Sequence, residues 1–282
     1  MSVISEVRPS PIAGTWYDDN PQRLARSVEG YLDEARLPEV EGEVVGVIAP
    51  HAGHRYSGPV AGYAFAAIRG LAPGLVAVLS PMHQPYPQPL ITTAHAAYAT
   101  PLGKIQVDTG AVEDLSSRLK PRLGFGLSRV ANDNEHSLEI ELPFLQRALR
   151  AEFKLLPVMV RQVDPKTSHA LGEALAETLA GRGALLVAST DLSHFYSQAE
   201  ANSLDGEMLR VIESFSPDAL FETEAEGKGF ACGLGALAAV LWAARALGAD
   251  QVKVLRHATS GDVIGDFSSV VGYGAAVLVK TK

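Results

Sequence analysis

Three unbroken apolar runs each end in a histidine: Val44-Val45-Gly46-Val47-Ile48-Ala49-Pro50-His51, Leu75-Val76-Ala77-Val78-Leu79-Ser80-Pro81-Met82-His83 and Leu185-Leu186-Val187-Ala188-Ser189-Thr190-Asp191-Leu192-Ser193-His194. Short continuous Val/Leu/Ile runs are what strands buried on both faces look like, and such strands belong to sheets covered by helices. In open α/β sheets the chemistry gathers outside the carboxyl ends of the strands. Three strand-end imidazoles therefore point to one shared crevice. Neutral imidazole is the commonest metal ligand, and its proton exchanges near physiological pH.

Around these runs, strand-like and helix-period segments alternate, the pattern of an α/β fold: one domain over 1–282 with a central, largely parallel mixed sheet flanked by helices. Helices are expected at 20–36, 58–70, 109–119, 137–149, 166–180, 197–213 and 233–247, and strands at 44–49, 75–80, 154–160 and 184–189. Pro85, Pro87 and Pro89 predict a rigid loop and then a short edge strand near 88–93, and residues 100–103 mark a turn. Val252–His257 and Ser268–Val279 read as an antiparallel pair that completes the sheet. The 282 residues are 47% hydrophobic, enough for a sizeable core, with no linker, repeat or charge run to divide them.

The formal net charge of -8 repels phosphate backbones and argues against nucleic acid as a partner. Met1–Ser10 carries charges and proline where a signal peptide needs an apolar core, and no stretch reaches the roughly 18 apolar residues of a membrane span. A cytoplasmic chain with no membrane partner is the expectation. A single cysteine, Cys232, rules out an intramolecular disulfide.

Each chemistry-bearing motif has two readings. Pro50-His51-Ala52-Gly53 is either an ordinary glycine-containing turn or a strand end that lets backbone approach a bound species. His83 repeats the pattern one strand later, whereas His54 and His95 lack the strand-end position and read as surface or supporting groups. Asp191, beside His194, either caps the helix near 197 or accepts an imidazole N–H and fixes its tautomer. Cys232 opens the helix at 233–247, where backbone dipoles favour a thiolate, although a free cysteine is otherwise a small buried hydrophobe. In Glu135-His136-Ser137-Leu138-Glu139 the acids suit a helix start, and His136 is either incidental or pocket-facing. Asp262, in Thr259-Ser260-Gly261-Asp262, lines the same crevice or closes a hairpin.

Taken in order, these words resemble the Memo family, also called AmmeMemoRadiSam system protein B. They are Val7-Arg8-Pro9 with Ala13-Gly14-Thr15-Trp16-Tyr17, Pro50-His51-Ala52-Gly53, Glu135-His136-Ser137-Leu138-Glu139 with Leu142-Pro143-Phe144, Asp191-Leu192-Ser193-His194, Cys232-Gly233, and Thr259-Ser260-Gly261-Asp262 through Ser269-Val270-Val271-Gly272-Tyr273. The resemblance implies a fold similar to class III extradiol (LigB-type) dioxygenases, non-haem iron enzymes with a two-histidine, one-glutamate site. Carried over, it puts metal ligands on His51, His83 and Cys232, a thiol where those enzymes have a carboxylate, and an acid/base on His194. The pattern departs at His54, where tyrosine is commoner, and at Met82; His54 adds an extra ligand or proton carrier.

Several functions stay open. One is a metal-dependent oxidoreductase holding Fe(II), or copper or zinc, and acting on a small-molecule substrate. Another is a non-catalytic scaffold that keeps the pocket for a peptide or for AMMECR1-like and radical-SAM partners. Extradiol cleavage needs a carboxylate near His51 and His83, for which Asp191, Glu135 and Asp262 are the candidates. A Cys232 hydrolase with His194 as base leaves His51 and His83 without a role.

Overall fold

The computed structural model describes residues 5–161 and 164–281. Of the segment read above for a signal peptide, residues 1–4 lie outside that range. A two-residue strand, β1 (Val7–Arg8), precedes helix α1 (Pro21–Glu34), which opens where the Asn20 side chain accepts the Arg23 N–H and Pro21 occupies the first turn. Leu24, Val28 and Leu32, four residues apart, are its buried stripe. There follow β2 (Glu43–Ala49), α2 (His54–Ala66), β3 (Leu75–Pro81), β4 (Leu90–Thr93), the hairpin β5 (Ala97–Thr100) and β6 (Gly103–Gln106), α3 (Thr109–Leu123) and β7 (Ser128–Val130). A single 3-10 turn at Glu139–Glu141 leads into α4 (Leu142–Ala148), β8 (Lys154–Val160), α5 (Pro165–Leu179), β9 (Ala184–Ser189) and β10 (His194–Tyr196). The chain ends with α6 (Gln198–Glu213), α7 (Pro217–Ala225), α8 (Leu234–Ala246), β11 (Gln251–Thr259), α9 (Gly261–Ile264) and β12 (Val270–Lys280).

The large sheet runs β10-β12-β2-β9-β3-β8-β4-β7, with β11 also paired to β12. Its centre is parallel: β2 pairs β9 with Gly46 opposite Leu186, β9 pairs β3 with Val76 opposite Leu185, and β3 pairs β8. All residues of β3 are buried, as are the five that follow Ala184 in β9, which accounts for their unbroken apolar sequences. Antiparallel strands flank this centre, β12 on β2 and β4 on β8, so the fold is α/β with a mixed sheet flanked by helices. Helix α8 is apolar almost all round because it is wedged between α5 and the β3–β9 region of the sheet.

The strand order carries the functional consequence. Because β2, β9 and β3 are adjacent and parallel, the three motifs that end in His51, His194 and His83 leave the sheet at the same edge, about 5 Å apart strand to strand.

Some expectations are corrected. Helix α2 begins at His54, not 58; a Cβ at Gly62 would lie 2.4 Å from the Tyr31 carbonyl oxygen, so glycine is what lets α2 press against α1. The strand near 88–93 is not an edge, for β4 lies between β8 and β7. The helix expected over 137–149 is broken into the 3-10 turn and α4, whose first turn contains Pro143. Helix α7 and the small β1-β5-β6 sheet were not anticipated, since strands of two to four residues are too short to show a period.

Candidate metal centre

His51 follows β2 and is buried. Its backbone N–H donates to Asp191 Oδ1 at 2.7 Å, its Nδ1 lies 3.0 Å from Ser189 Oγ, and its Nε2 lies 3.1 Å from Cys232 Sγ. Burial holds its pKa well below the ordinary histidine value, and the neighbouring His83 and His136 push the same way. A buried ring that resists protonation keeps a lone pair for a cation.

His83 follows β3 and is gripped by Glu135, which accepts the His83 backbone N–H at 2.6 Å on one oxygen and its Nδ1–H at 2.9 Å on the other. Glu135 also accepts the backbone N–H groups of His136 and Ser137. Burial alone would raise the Glu135 pKa, but the hydrogen bond and charge of His83, with those amides, hold it well below the carboxylate range. With Nδ1 tied to an anion, Nε2 is the ring nitrogen left for a ligand, the familiar support of metal-binding histidines.

The third imidazole is His136, stacked on His83 with ring centroids 4.7 Å apart and 5.6 Å from the His51 ring. Burial lowers its pKa to about 4. Ligand nitrogens of His51, His83 and His136 all lie within 4.8 Å of one another, and among the described residues this mutually close set includes no carboxylate and not Cys232, whose sulfur contacts only the His51 ring of the three. Three imidazoles, with a thiol in contact with one of them, suit a borderline ion such as Fe(II), copper or zinc. The residues therefore fit a metal.

Cys232 reaches the site because Gly233 follows it: a Cβ there would sit 2.5 Å from the Ser189 carbonyl oxygen, blocking the approach of this segment to the end of β9. The sulfur accepts the Asp191 N–H at 3.2 Å. The helix-terminus expectation is corrected, however: burial, joined by the charge of Asp191, pushes the thiol pKa up. The protein alone favours the neutral thiol, and only a cation would reverse that.

His194 is half-buried, its Nδ1–H donating to the Leu192 carbonyl at 2.9 Å, so a main-chain group and not Asp191 sets its tautomer. Burial lowers its pKa, against that hydrogen bond and with the charge of His83. Asp191 is buried and accepts backbone N–H groups of His51 and Ala52, tying the end of β2 to the loop after β9; burial raises its pKa to about 7. Nor does Asp191 cap the next helix, where Ser197 and Glu200 form a capping box.

His54 and Asp262 lie outside the cluster. His54 is buried, not superficial, with Nε2 on the Ile140 carbonyl at 3.0 Å and its ring against Phe144 and Tyr17. Asp262 accepts the Thr259 N–H and a Gln198 amide at the start of α9. His95 is also buried, between the Ser5 carbonyl and the Asn132 N–H. Sequence reasoning missed Trp16, which stacks on His136 at 4.0 Å and lines an apolar groove of about 460 Å³ with Ala52, Tyr56, Ile264 and Tyr273. Its place in the Ala13–Tyr17 motif was the available signal.

The sequence matches the family model of Memo-like proteins over residues 8–277. It is similar to a MEMO1 family protein of Nitrosopumilus maritimus, 33% identical over 274 residues that cover 95% of this chain and 98% of the relative. MEMO1 family proteins of Methanothermobacter thermautotrophicus and Thermotoga neapolitana are each 34% identical, over 95% and 96% of this chain and 98% and 99% of their own lengths. With the motifs at His51, His136, His194 and Cys232 inside the matched span, the chain belongs to the Memo family.

Proposed function

We propose that the cluster is a non-haem metal centre of a metal-dependent oxidoreductase, with Fe(II) as its ion. His51 and His83 supply imidazole nitrogens and Cys232 supplies sulfur, while His136 closes the cluster from the side of Trp16. The observation that carries this reading is the convergence of three imidazoles whose approach and orientation are fixed from behind by Ser189 and Glu135. When bound, the ion supplies Lewis acidity and a one-electron couple to a small substrate. His194 holds its Nδ1 proton on Leu192, so its Nε2 is the atom that takes or gives a proton, and its lowered pKa makes it a base near neutral pH.

The test is anaerobic purification followed by elemental analysis for iron, copper and zinc, on the wild type, Cys232→Ser and His51→Ala. Near-stoichiometric metal in the wild type and loss in both variants is expected; full metal retained in both variants overturns the ligand assignment. Copper or zinc in place of iron replaces the proposed ion. Oxygen uptake on a catechol panel decides whether the reaction is extradiol cleavage.

A second reading is favoured by the groove beside Trp16: an apolar, partly exposed cleft at the mouth of the cluster suits a peptide or a protein partner, such as an AMMECR1-like or radical-SAM protein. Saturable peptide binding by metal-free, reduced protein that needs Trp16 supports that reading over turnover.

A further inference from the structure

Behind His51 lies a buried group that the metal reading leaves unused. Glu141, in the 3-10 turn before α4, is 1% exposed, and its Oε1 lies 2.6 Å from Ser189 Oγ at the end of β9. Ser189 is fully buried and has two further neighbours: the Ser137 carbonyl oxygen at 2.7 Å and His51 Nδ1 at 3.0 Å. A hydroxyl has one proton and two lone pairs.

That count decides the arrangement. The Ser137 carbonyl only accepts, so it takes the Ser189 proton. Glu141 and His51 must then both donate to Ser189 Oγ. If the proton went instead to Glu141 or to His51, the Ser189 and Ser137 oxygens would face each other at 2.7 Å with no hydrogen between them, a costly arrangement away from water. We propose that Ser189, held by the Glu141 carboxyl and the Ser137 carbonyl, is the positioning residue that locks His51 with its proton on Nδ1 and its Nε2 lone pair turned toward Cys232.

Independent features agree. Glu141 Oε2 is buried and has no hydrogen-bond partner among the described residues, which a neutral acid tolerates far better than a carboxylate. Burial pushes the Glu141 pKa well up, against the Ser189 hydrogen bond, and the charge of Asp191 adds to the rise. On the far side of His51, Nε2 lies 3.1 Å from Cys232 Sγ, where its lone pair points once the proton sits on Nδ1. The two proposed imidazole ligands are thus supported differently, His83 by an anion and His51 by a neutral hydroxyl.

The inference rests on the reading of His51 as a ligand, and the experiment separates the two. In metal-free protein labelled with 15N-histidine, the wild-type His51 ring is expected as a single Nδ1–H tautomer, and an infrared carboxylic-acid band is expected to disappear in Glu141→Gln. Ser189→Ala should mix the tautomers and weaken Co(II) binding roughly 10-fold, with the fold checked by circular dichroism. A wild-type proton on Nε2, the absence of the acid band, or unchanged tautomer and Co(II) affinity in Ser189→Ala overturns the proposal. If the wild type shows the tautomer and the acid band but binds no Co(II), the lock stands and the metal reading falls.

Discussion

Two buried polar clusters lie side by side in this protein, and they obey opposite electrostatic rules. Around Arg8 every strong group is paired: the guanidinium, 1% exposed, donates to both Asp133 oxygens, to Glu139 and to the Glu135 carbonyl, while Tyr17 Oη donates to Glu139 Oε1. Around His51 three imidazoles crowd together, burial resists the protonation of His51 and His136, and the one carboxylate against the rings, Glu135, reaches His83 and His136. The first cluster pairs its charges and serves the fold; the second gathers three imidazoles that could hold a cation. Glu135 couples them, its carbonyl on Arg8 and its carboxylate on His83. Removing a member should therefore cost stability in one cluster and ligand affinity in the other.

The largest effect is expected at Arg8. Arg8→Met leaves Asp133 and Glu139 buried without their cation, and breaking a buried pair in this way costs about 3–5 kcal/mol. Chemical denaturation of the metal-free protein measures it. A loss under about 1 kcal/mol would show that the cluster is not the strut described here.

A second contrast is provided by His54, a buried imidazole that belongs to neither cluster. Its folded pKa is about 4, lowered by burial against the Ile140 hydrogen bond, whereas the unfolded value is near 6.5. Between these values the unfolded chain binds the extra proton. Stability therefore rises with pH across the window and is lost as pH falls from about 6.5 to about 4, by on the order of 3 kcal/mol for this one group. His54→Gln should flatten the acid limb of the stability–pH profile by that share. An identical slope would mean that His54 is not held neutral.

Glu135→Gln probes the joint between the clusters. The amide keeps the shape but withdraws the anion from His83 Nδ1, and loss of such a supporting carboxylate typically weakens metal binding 10–100-fold. Co(II) titration reads the change, and denaturation should show a smaller loss than Arg8→Met does. The reverse ranking would place Glu135 with the structural cluster.

What the sequence made legible follows from period and position. The runs before His51, His83 and His194 were readable as buried strands because parallel strands have no polar face, and their ends are where such folds place chemistry. The order β2-β9-β3, which makes these ends neighbours, is a fact of long-range pairing that local pattern does not encode. The same limit hid the roles of Glu141 and Ser189, whose partners lie about 50 residues away in sequence, whereas Glu135, a candidate carboxylate from the sequence, does lie against His83. His54 and His95 were read as surface or supporting groups for the same reason: their burial comes from Phe144, Ile140 and the N-terminal segment, none of which adjoins them in the chain.

The smallest effect is expected at Trp16, on the rim where the His51 cluster meets solvent. Its ring is 36% exposed and stacks on His136, a contact worth about 0.5–1.5 kcal/mol for an aromatic pair beyond its buried area. Trp16→Ala should lower the stability of the metal-free protein by about that amount and leave Co(II) affinity within about 3-fold, because no polar atom of Trp16 supports a ligand ring. A large loss of metal affinity would instead make the stack part of the metal centre, with the orientation of His136 depending on it. A full stability loss with intact affinity would move Trp16 to the structural side of the comparison, alongside Tyr17, its neighbour in sequence. Between those outcomes, the predicted small effect leaves the indole free to meet a ligand in the groove that it lines.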